Sequence, residues 1–331
     1  MDSFAGKLAV VTGGASGMGR ELVCQLAAQG CSVAACDWRP DAVADAVAVA
    51  QSGAPPGVLV TRYACDVSDE AQVVRFRDAV RQEHGVDHVD LVFNNAGVGG
   101  GASFVRDSRE RWERTFAVDF WGVYYCTRAF LPLLIASGDG VLVNTSSVAG
   151  FWGTGGPGMP NTAYATAKFA VKGFTEALIE DLRANAPQVR VAVVMPGHVG
   201  TDIIANSRRA LGLPEPAAMS QAQLEELIPP AVQARMVRAG LLAADASADD
   251  LRGLLTRTET DFRDKAPLTA AQAATIILDG VRSGAWRILV GRDAELIDAG
   301  VRAKPDAAYD YPTLFGDIRA MAGEARAARD P

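Results

Sequence analysis

The sequence predicts an α/β chain built on one doubly wound, seven-stranded parallel sheet, and three observations carry that expectation. Short apolar runs alternate with longer helical patterns from the N-terminus to about residue 290, several runs are apolar on consecutive residues, and no domain linker interrupts the rhythm. Continuous apolar runs suit parallel strands covered on both faces. Repeated strand–helix alternation with right-handed crossovers winds them into one open sheet.

Taken in order, the strands are expected at Leu8 to Val11, Ser32 to Cys36, Val58 to Tyr63, Leu91 to Phe93, Val141 to Asn144, Val191 to Val194 and Ile288 to Val290. The helices between them are expected at Gly19 to Gln29, Asp41 to Gln51, Glu70 to His84, Arg109 to Ile135, Thr162 to Ala184 and Ala270 to Arg282. Two stretches depart from this rhythm. Residues 203–266, with Leu213-Pro214-Glu215-Pro216 and Ile228-Pro229-Pro230, replace a connection that normally takes about 2–6 residues, so they read as an enlarged substrate-binding segment or lid. Residues 292–331 form an Ala/Arg/Asp-rich extension, helical near Ala294 to Arg302 and Ile318 to Arg329, packing on the same domain or on a partner subunit. The main domain is accordingly placed at 1–291.

Composition narrows the function classes. Acidic residues outnumber basic ones 39 to 32, with a net charge of −7 and no Lys/Arg cluster, so the footprint needed for a phosphate backbone is missing and nucleic acid is not an expected partner. No leader pattern opens the chain and no run approaches the ~18 apolar residues of a spanning helix, so a cytoplasmic protein without a membrane partner is expected. Five cysteines (Cys24, Cys31, Cys36, Cys65, Cys126), none in a C-x-x-C pair, read as small core residues, and no metal site is expected.

The first strand runs into Thr12-Gly13-Gly14-Ala15-Ser16-Gly17-Met18-Gly19 and then a helix. Glycines let such a backbone turn sharply and approach a pyrophosphate, and the helix N-terminus supplies free N–H groups with partial positive charge. Asp37 ends the second strand, beside Trp38, 20 residues beyond Gly17, where a carboxylate accepts both hydroxyls of an adenosine ribose. These features predict a Rossmann-like nucleotide site and favour NAD over NADP, since Asp37 would repel a 2′-phosphate. Arg39, two residues on, is the counter-evidence. Asp66-Val67 follows the third strand, where Asp66 could contact nucleotide or cap the next helix; Asn94-Asn95-Ala96-Gly97 ends the fourth, one Asn tying strands together and Ala96-Gly97 letting backbone lie against the cofactor.

Tyr164 and Lys168 are four apart in a helical stretch, hence on one face. An ammonium beside a phenol favours phenolate and makes Tyr164 a usable general acid/base. Asn144-Thr145-Ser146-Ser147, at the end of the fifth strand, brings a hydroxyl to the same sheet edge.

These motifs in this order resemble the short-chain dehydrogenase/reductase family over residues 5–202, through Thr12 to Gly19, Asp66-Val67, Asn94 to Gly97, Ser147, Tyr164-x-x-x-Lys168 and Pro196-Gly197-His198-Val199-Gly200-Thr201. The resemblance implies that Ser147 bonds the substrate oxygen, Tyr164 transfers the proton, and Lys168 binds the nicotinamide ribose and lowers the Tyr164 pKa. It further implies that Gly13, Ser16, Gly17, Met18, Gly19, Asn95, Ala96, Gly97, Pro196, Gly197, Val199 and Thr201 hold cofactor, and that copies pair as a homodimer or homotetramer. One position departs: the family's Asn in Val-Asn-x-x-Gly is Asp119 here. A carboxylate there stabilises the Lys168 ammonium while screening its effect on Tyr164, which displaces the pH optimum of alcohol oxidation upward. Phe151, Trp152 and His198 are placed at the substrate pocket, with Met219, Leu224, Leu227, Ile228 and Met236 either enclosing an apolar substrate or packing the segment onto the core, and Arg208-Arg209 as the one candidate anion clamp. The expected activity is NAD-dependent interconversion of a hydrophobic secondary alcohol and its ketone. The alternatives are an NADPH-preferring carbonyl reductase of the same fold and a nucleotide-binding protein impaired in catalysis.

Overall fold

The computed structural model describes residues 1–327 apart from Pro157 and Ala239, with side chains described as far as Arg319. The last residues of the expected terminal helix, to Arg329, lie outside these. The strands are β1 (Leu8–Thr12), β2 (Ser32–Asp37), β3 (Val60–Ala64), β4 (Leu91–Asn94), β5 (Gly140–Thr145), β6 (Val189–Pro196), β7 (Val199–Gly200), β8 (Leu268–Thr269) and β9 (Arg287–Val290). The helices are α1 (Gly17–Ala28), α2 (Pro40–Ser52), α3 (Glu70–His84), α4 (Arg109–Phe116), α5 (Gly122–Ala136), α6 (Thr162–Asn185), α7 (Ile203–Ala210), α8 (Gln221–Leu227), α9 (Pro230–Arg238), α10 (Ala248–Asp264), α11 (Ala270–Arg282), α12 (Arg292–Ala303) and α13 (Tyr311–Ala327).

Seven strands form one parallel sheet in the order β3-β2-β1-β4-β5-β6-β9, and β7 pairs with β8 separately. Alternate residues of β1 serve opposite faces: Ala9 and Val11 pack with Leu22, Leu26 and Ile277 under α1 and α11, whereas Leu8 and Val10 pack with Phe76, Phe130 and Leu134 under α3 and α5. Burial on both sides explains the unbroken apolar runs. Local chemistry sets the helix ends. Asp69 caps α3 by accepting from the Ala71 and Gln72 amides, and Gly85, at φ 63°, ends that helix.

Three features differ from the sequence expectation. The helix predicted through Arg109–Ile135 is broken by a π-helical turn, Ala117–Trp121, between α4 and α5; such wide turns cluster at functional sites, and Asp119 lies within this one. The 203–266 segment is helical, as its mixed helical pattern predicts, but it has its own small core, in which Met219, Leu224, Ile228 and Leu251 are buried with Leu227 and Met236 against them. The apolar residues expected to wrap a substrate therefore hold the lid together. Its helices α8 and α10 start with capping boxes, Ser220 with Gln223 and Ser247 with Asp250, so they are fixed by their own sequence. Third, the β7–β8 pair, invisible to apolar patterning at two residues per strand, closes the lid at its base.

Candidate active site

The strand order reverses between β1 and β4, and a groove opens there at the C-terminal ends of the strands, as open α/β sheets require. Gly13 and Gly17 take φ of +67° and +52°, conformations that side chains resist. A Cβ at Gly13 would sit 2.8 Å from Ala96 Cα, and one at Gly19 would overlap the Gly13 carbonyl and come within 2.6 Å of Asn95 Nδ2. Thr12 Oγ1 accepts from the Asn95 and Ala96 amides at 3.0 and 3.1 Å, which locks the β4 end to the β1 end. Ser16 makes no capping bond and the first turn of α1 holds no acidic side chain, so its amides stand free for an anion. This cradle fits a dinucleotide pyrophosphate.

Gly13, Ser16, Gly17, Met18, Asp37 and Trp38 line one side of the groove, and Asp66, Val67, Asn95, Ala96, Gly97 and Thr201 continue its wall. Gly19 lies beneath it. Asp37 is buried: its Oδ1 accepts from the Arg39 amide and from Arg39 Nε, at 3.1 and 3.2 Å, and its Oδ2 accepts from the Ala15 amide at 3.4 Å. Arg39 also donates to Ser16 Oγ and to Asn206 Oδ1 of α7, so one guanidinium joins the acid, the Gly-rich turn and the lid.

Asp66 does not cap α3, the role Asp69 fills. Its Oδ1 accepts from the Ser68 amide and hydroxyl and its Oδ2 from Arg114 Nη2 at 2.8 Å. Burial acts to raise the carboxyl pKa, but the Ser68 and Arg114 bonds outweigh it and leave it below the ordinary value. Asn94 ties strands as expected, donating to Asn144 Oδ1 at 2.9 Å and Thr127 Oγ1 at 3.1 Å.

At the β5 end, Ser146 turns inward and donates to the Lys168 carbonyl, while Ser147 Oγ accepts from the Ala149 amide at 3.1 Å. Lys168 Nζ lies 5.5 Å from the Tyr164 ring centroid, donates to the Thr145 carbonyl at 3.2 Å, and stands 3.9 Å from Asp119 Oδ1. Asp119 is fully buried; Oδ1 accepts from the Val98 amide at 2.8 Å and Oδ2 has no partner. Burial pushes its carboxyl up to about 6, against the pull of Lys168 and of the Val98 amide. Burial likewise pushes the Tyr164 phenol up; the Lys168 ammonium draws it down, the Asp119 carboxylate pushes it up, and the Ser147 hydroxyl draws it down. Gly97 makes this packing feasible, since a Cβ there would come 3.0 Å from Asp119 Oδ1 and 3.2 Å from Lys168 Nζ.

Pro196 ends β6, the Gly197 amide donates to the Val290 carbonyl, and Val199 is buried in β7. Three residues assigned to the substrate pocket have other employment. His198 Nε2 lies 2.7 Å from the Phe262 carbonyl and its ring packs on Phe262 at 4.3 Å. Trp152 is buried beneath Ala308 and Leu314, with Phe151 packed on the same cluster. The apolar contacts of these aromatics are thus made with the C-terminal helices. Arg208 is held by Glu259 and Glu215, and Arg209 by Glu215, which removes the candidate anion clamp. Sequence reasoning missed Arg114, Asn206 and Asp293. Each meets its partner across a long sequence gap, and none carries a motif.

Residues 7–212 match the short chain dehydrogenase family. A Mycobacterium tuberculosis protein named as the oxidoreductase SadH is 33% identical over 304 residues, 91% of this chain and 92% of that one. A short-chain dehydrogenase/reductase from Burkholderia phymatum, solved in complex with NAD, superposes with a TM-score of 0.71 at 29% identity, covering 93% of this chain and 95% of its own. A metagenomic short-chain oxidoreductase in complex with NADP aligns at 30% identity and a TM-score of 0.52, over 59% of this chain and 83% of that one. The chain belongs to the short-chain dehydrogenase family. It is an oxidoreductase of that family, with the seven-stranded Rossmann-like sheet and a helical C-terminal extension.

Proposed function

We propose that this chain is an NAD-dependent dehydrogenase that interconverts a hydrophobic secondary alcohol and its ketone. The single observation behind the chemistry is the placement of the Lys168 ammonium 5.5 Å from the Tyr164 ring, at the same sheet edge as Ser147. In this reading the Ser147 hydroxyl bonds the substrate oxygen and Tyr164 Oη, as phenolate, accepts the hydroxyl proton. Held in the Gly-rich cradle, NAD would supply the acceptor for the hydride of the carbinol carbon. Lys168 holds the phenolate charge and the nicotinamide ribose; Val199 and Thr201 hold the carboxamide.

Asp37 supports NAD over NADP, because its buried carboxylate faces the site of a 2′-phosphate. Arg39 favours the second reading, an NADPH-preferring carbonyl reductase, in which its guanidinium would leave Asp37 for the phosphate. A neutral substrate fits a lid whose Arg208 and Arg209 are already neutralised. The lid at 203–266 is assigned to substrate enclosure and 1–291 to one catalytic domain. No helix among the described residues is long and apolar enough to cross a membrane, in keeping with a cytoplasmic assignment. Phe116, Phe120, Trp121, Tyr124 and Phe174 form a half-exposed aromatic face on the end of α4, the π turn, α5 and α6, which we assign to pairing with a second copy.

The test is turnover of an alcohol panel with NAD and NADP. Tyr164→Phe should abolish turnover while NADH binding persists; substantial residual activity would sink the assignment, and equal or higher kcat/KM with NADP would transfer it to the second reading.

A further inference from the structure

The chain beyond β9 contacts two of the turns that follow strands of the sheet, the one after β5 and the one after β6. Trp152 Nε1 donates to the Ala308 carbonyl at 2.8 Å, the Gly153 amide donates to the Tyr309 hydroxyl at 3.2 Å, and the Tyr311 hydroxyl lies 3.3 Å from Thr154 Oγ1 and 3.5 Å from the Gly156 carbonyl. All four partners stand in 152–156, the stretch between Ser147 and Tyr164. The Trp152 ring meets Tyr311 and Phe315 edge-on, at 6.2 and 6.0 Å between centroids. At the second place, Asp293, in the first turn of α12, accepts from the His198 amide at 2.6 Å in the turn that follows Pro196. Glycine at 197 permits this, because a Cβ would overlap the Asp293 carboxylate.

We propose that the C-terminal extension is the brace that sets the substrate side of the groove, with Tyr309 and Tyr311 as positioning residues for the loop at 152–156. That loop carries Gly153, Gly155 and Gly156 and has no helix or strand of its own. Unbraced, it would populate many conformations and give up that freedom each time a substrate bound. The contacts from Tyr309 and Tyr311 restrict it in advance, and preorganisation of this kind appears in substrate affinity. The Tyr309 and Tyr311 hydroxyls reach neither the Gly-rich turn, nor Asp37, nor the turn at 196–201, so nucleotide affinity is independent of them. The consequence for substrate rests on the assignment of Ser147 and Tyr164 above; the consequence for the loop does not.

The double variant Tyr309→Phe/Tyr311→Phe keeps both rings in place and removes both hydroxyls. Hydrogen exchange of the peptide spanning 148–160 should quicken while that of 12–20 is unchanged. KM for the alcohol should rise about tenfold, the effect of losing roughly 1.4 kcal/mol of binding, with kcat and the NADH Kd within twofold. Unchanged exchange in 148–160, or nucleotide and alcohol constants rising together, would overturn the brace. If the wild-type protein turns over no alcohol, the functional reading fails, and the exchange measurement still decides the brace.

Discussion

Replacing Asp119 by Asn should stabilise the nucleotide-free protein, with a gain that opens above about pH 4 and is complete above about pH 6. The folded carboxyl has its pKa raised from 3.8 to about 6, chiefly by burial. Between these values the folded state binds more protons than the unfolded state, so stability falls as pH rises through the window and is level above it. The interval of about 2.2 units corresponds to about 3 kcal/mol at roughly 1.36 kcal/mol per unit. Asn reproduces the protonated acid: one acceptor for the Val98 amide, and one donor where Oδ2 now lies without a partner. The variant should therefore match wild type below pH 4 and exceed it by about 3 kcal/mol above pH 6. With an unfolding entropy of about 2.1 cal/mol/K per residue, that is roughly 4 °C in Tm for a chain of this length. Thermal melts of both proteins from pH 4 to 8, at one protomer concentration, read the difference directly. A difference that does not change with pH, or a variant less stable than wild type above pH 6, would refute the assignment of Asp119 as a strained buried anion.

The same substitution should lower the pH of half-maximal alcohol oxidation by on the order of one unit, because it removes the charge that pushes the Tyr164 phenol up; an unmoved profile would deny Asp119 any electrostatic role. Accepting a 2′-phosphate would require breaking the charged Asp37–Arg39 bond, worth about 1.5–3 kcal/mol, so wild type should prefer NAD by roughly 10- to 150-fold in kcat/KM. Asp37→Ser should narrow that ratio and Arg39→Ala should widen it, as steady-state kinetics with both cofactors would reveal. Trp121 is 41% exposed on the aromatic face, and Trp121→Lys should weaken self-association at least tenfold by sedimentation velocity without loss of nucleotide binding.

The sheet was legible because burial on both faces leaves unbroken apolar runs such as Leu8 to Val11, and the cradle because Gly13, Gly17 and Gly19 answer a backbone requirement that no other residue meets as well. The helix pair Tyr164 and Lys168 was legible for a similar reason: one turn of helix fixes their relation. The π turn was not, since it widens the hydrogen-bonding pattern without changing residue type, and Val118-Asp119-Phe120 fits an ordinary helix. Nor could apolar residues of the lid be sorted into those that face a ligand and those that face one another. Met219 and Leu224 look the same in either role, and the contacts that decide between them come from Leu251, far along the chain. The partners of Trp152 and His198, Ala308 and Phe262, were not legible because they lie 156 and 64 residues away.

The pairing of Val199 with Leu268 and Gly200 with Thr269 brings the chain back to where it left, one strand spacing of about 4.8 Å away. Everything between these two points hangs from the sheet by a closed clasp. Beyond α7, its length carries no geometric debt to the strands on either side, and α8 and α10 start from their own capping boxes. The architecture thus separates two histories: the cradle, with Thr201 and the Asn206 of α7 that belong to it, can stay fixed around its dinucleotide while the clasped segment beyond α7 is exchanged, lengthened or redesigned to grip a different molecule.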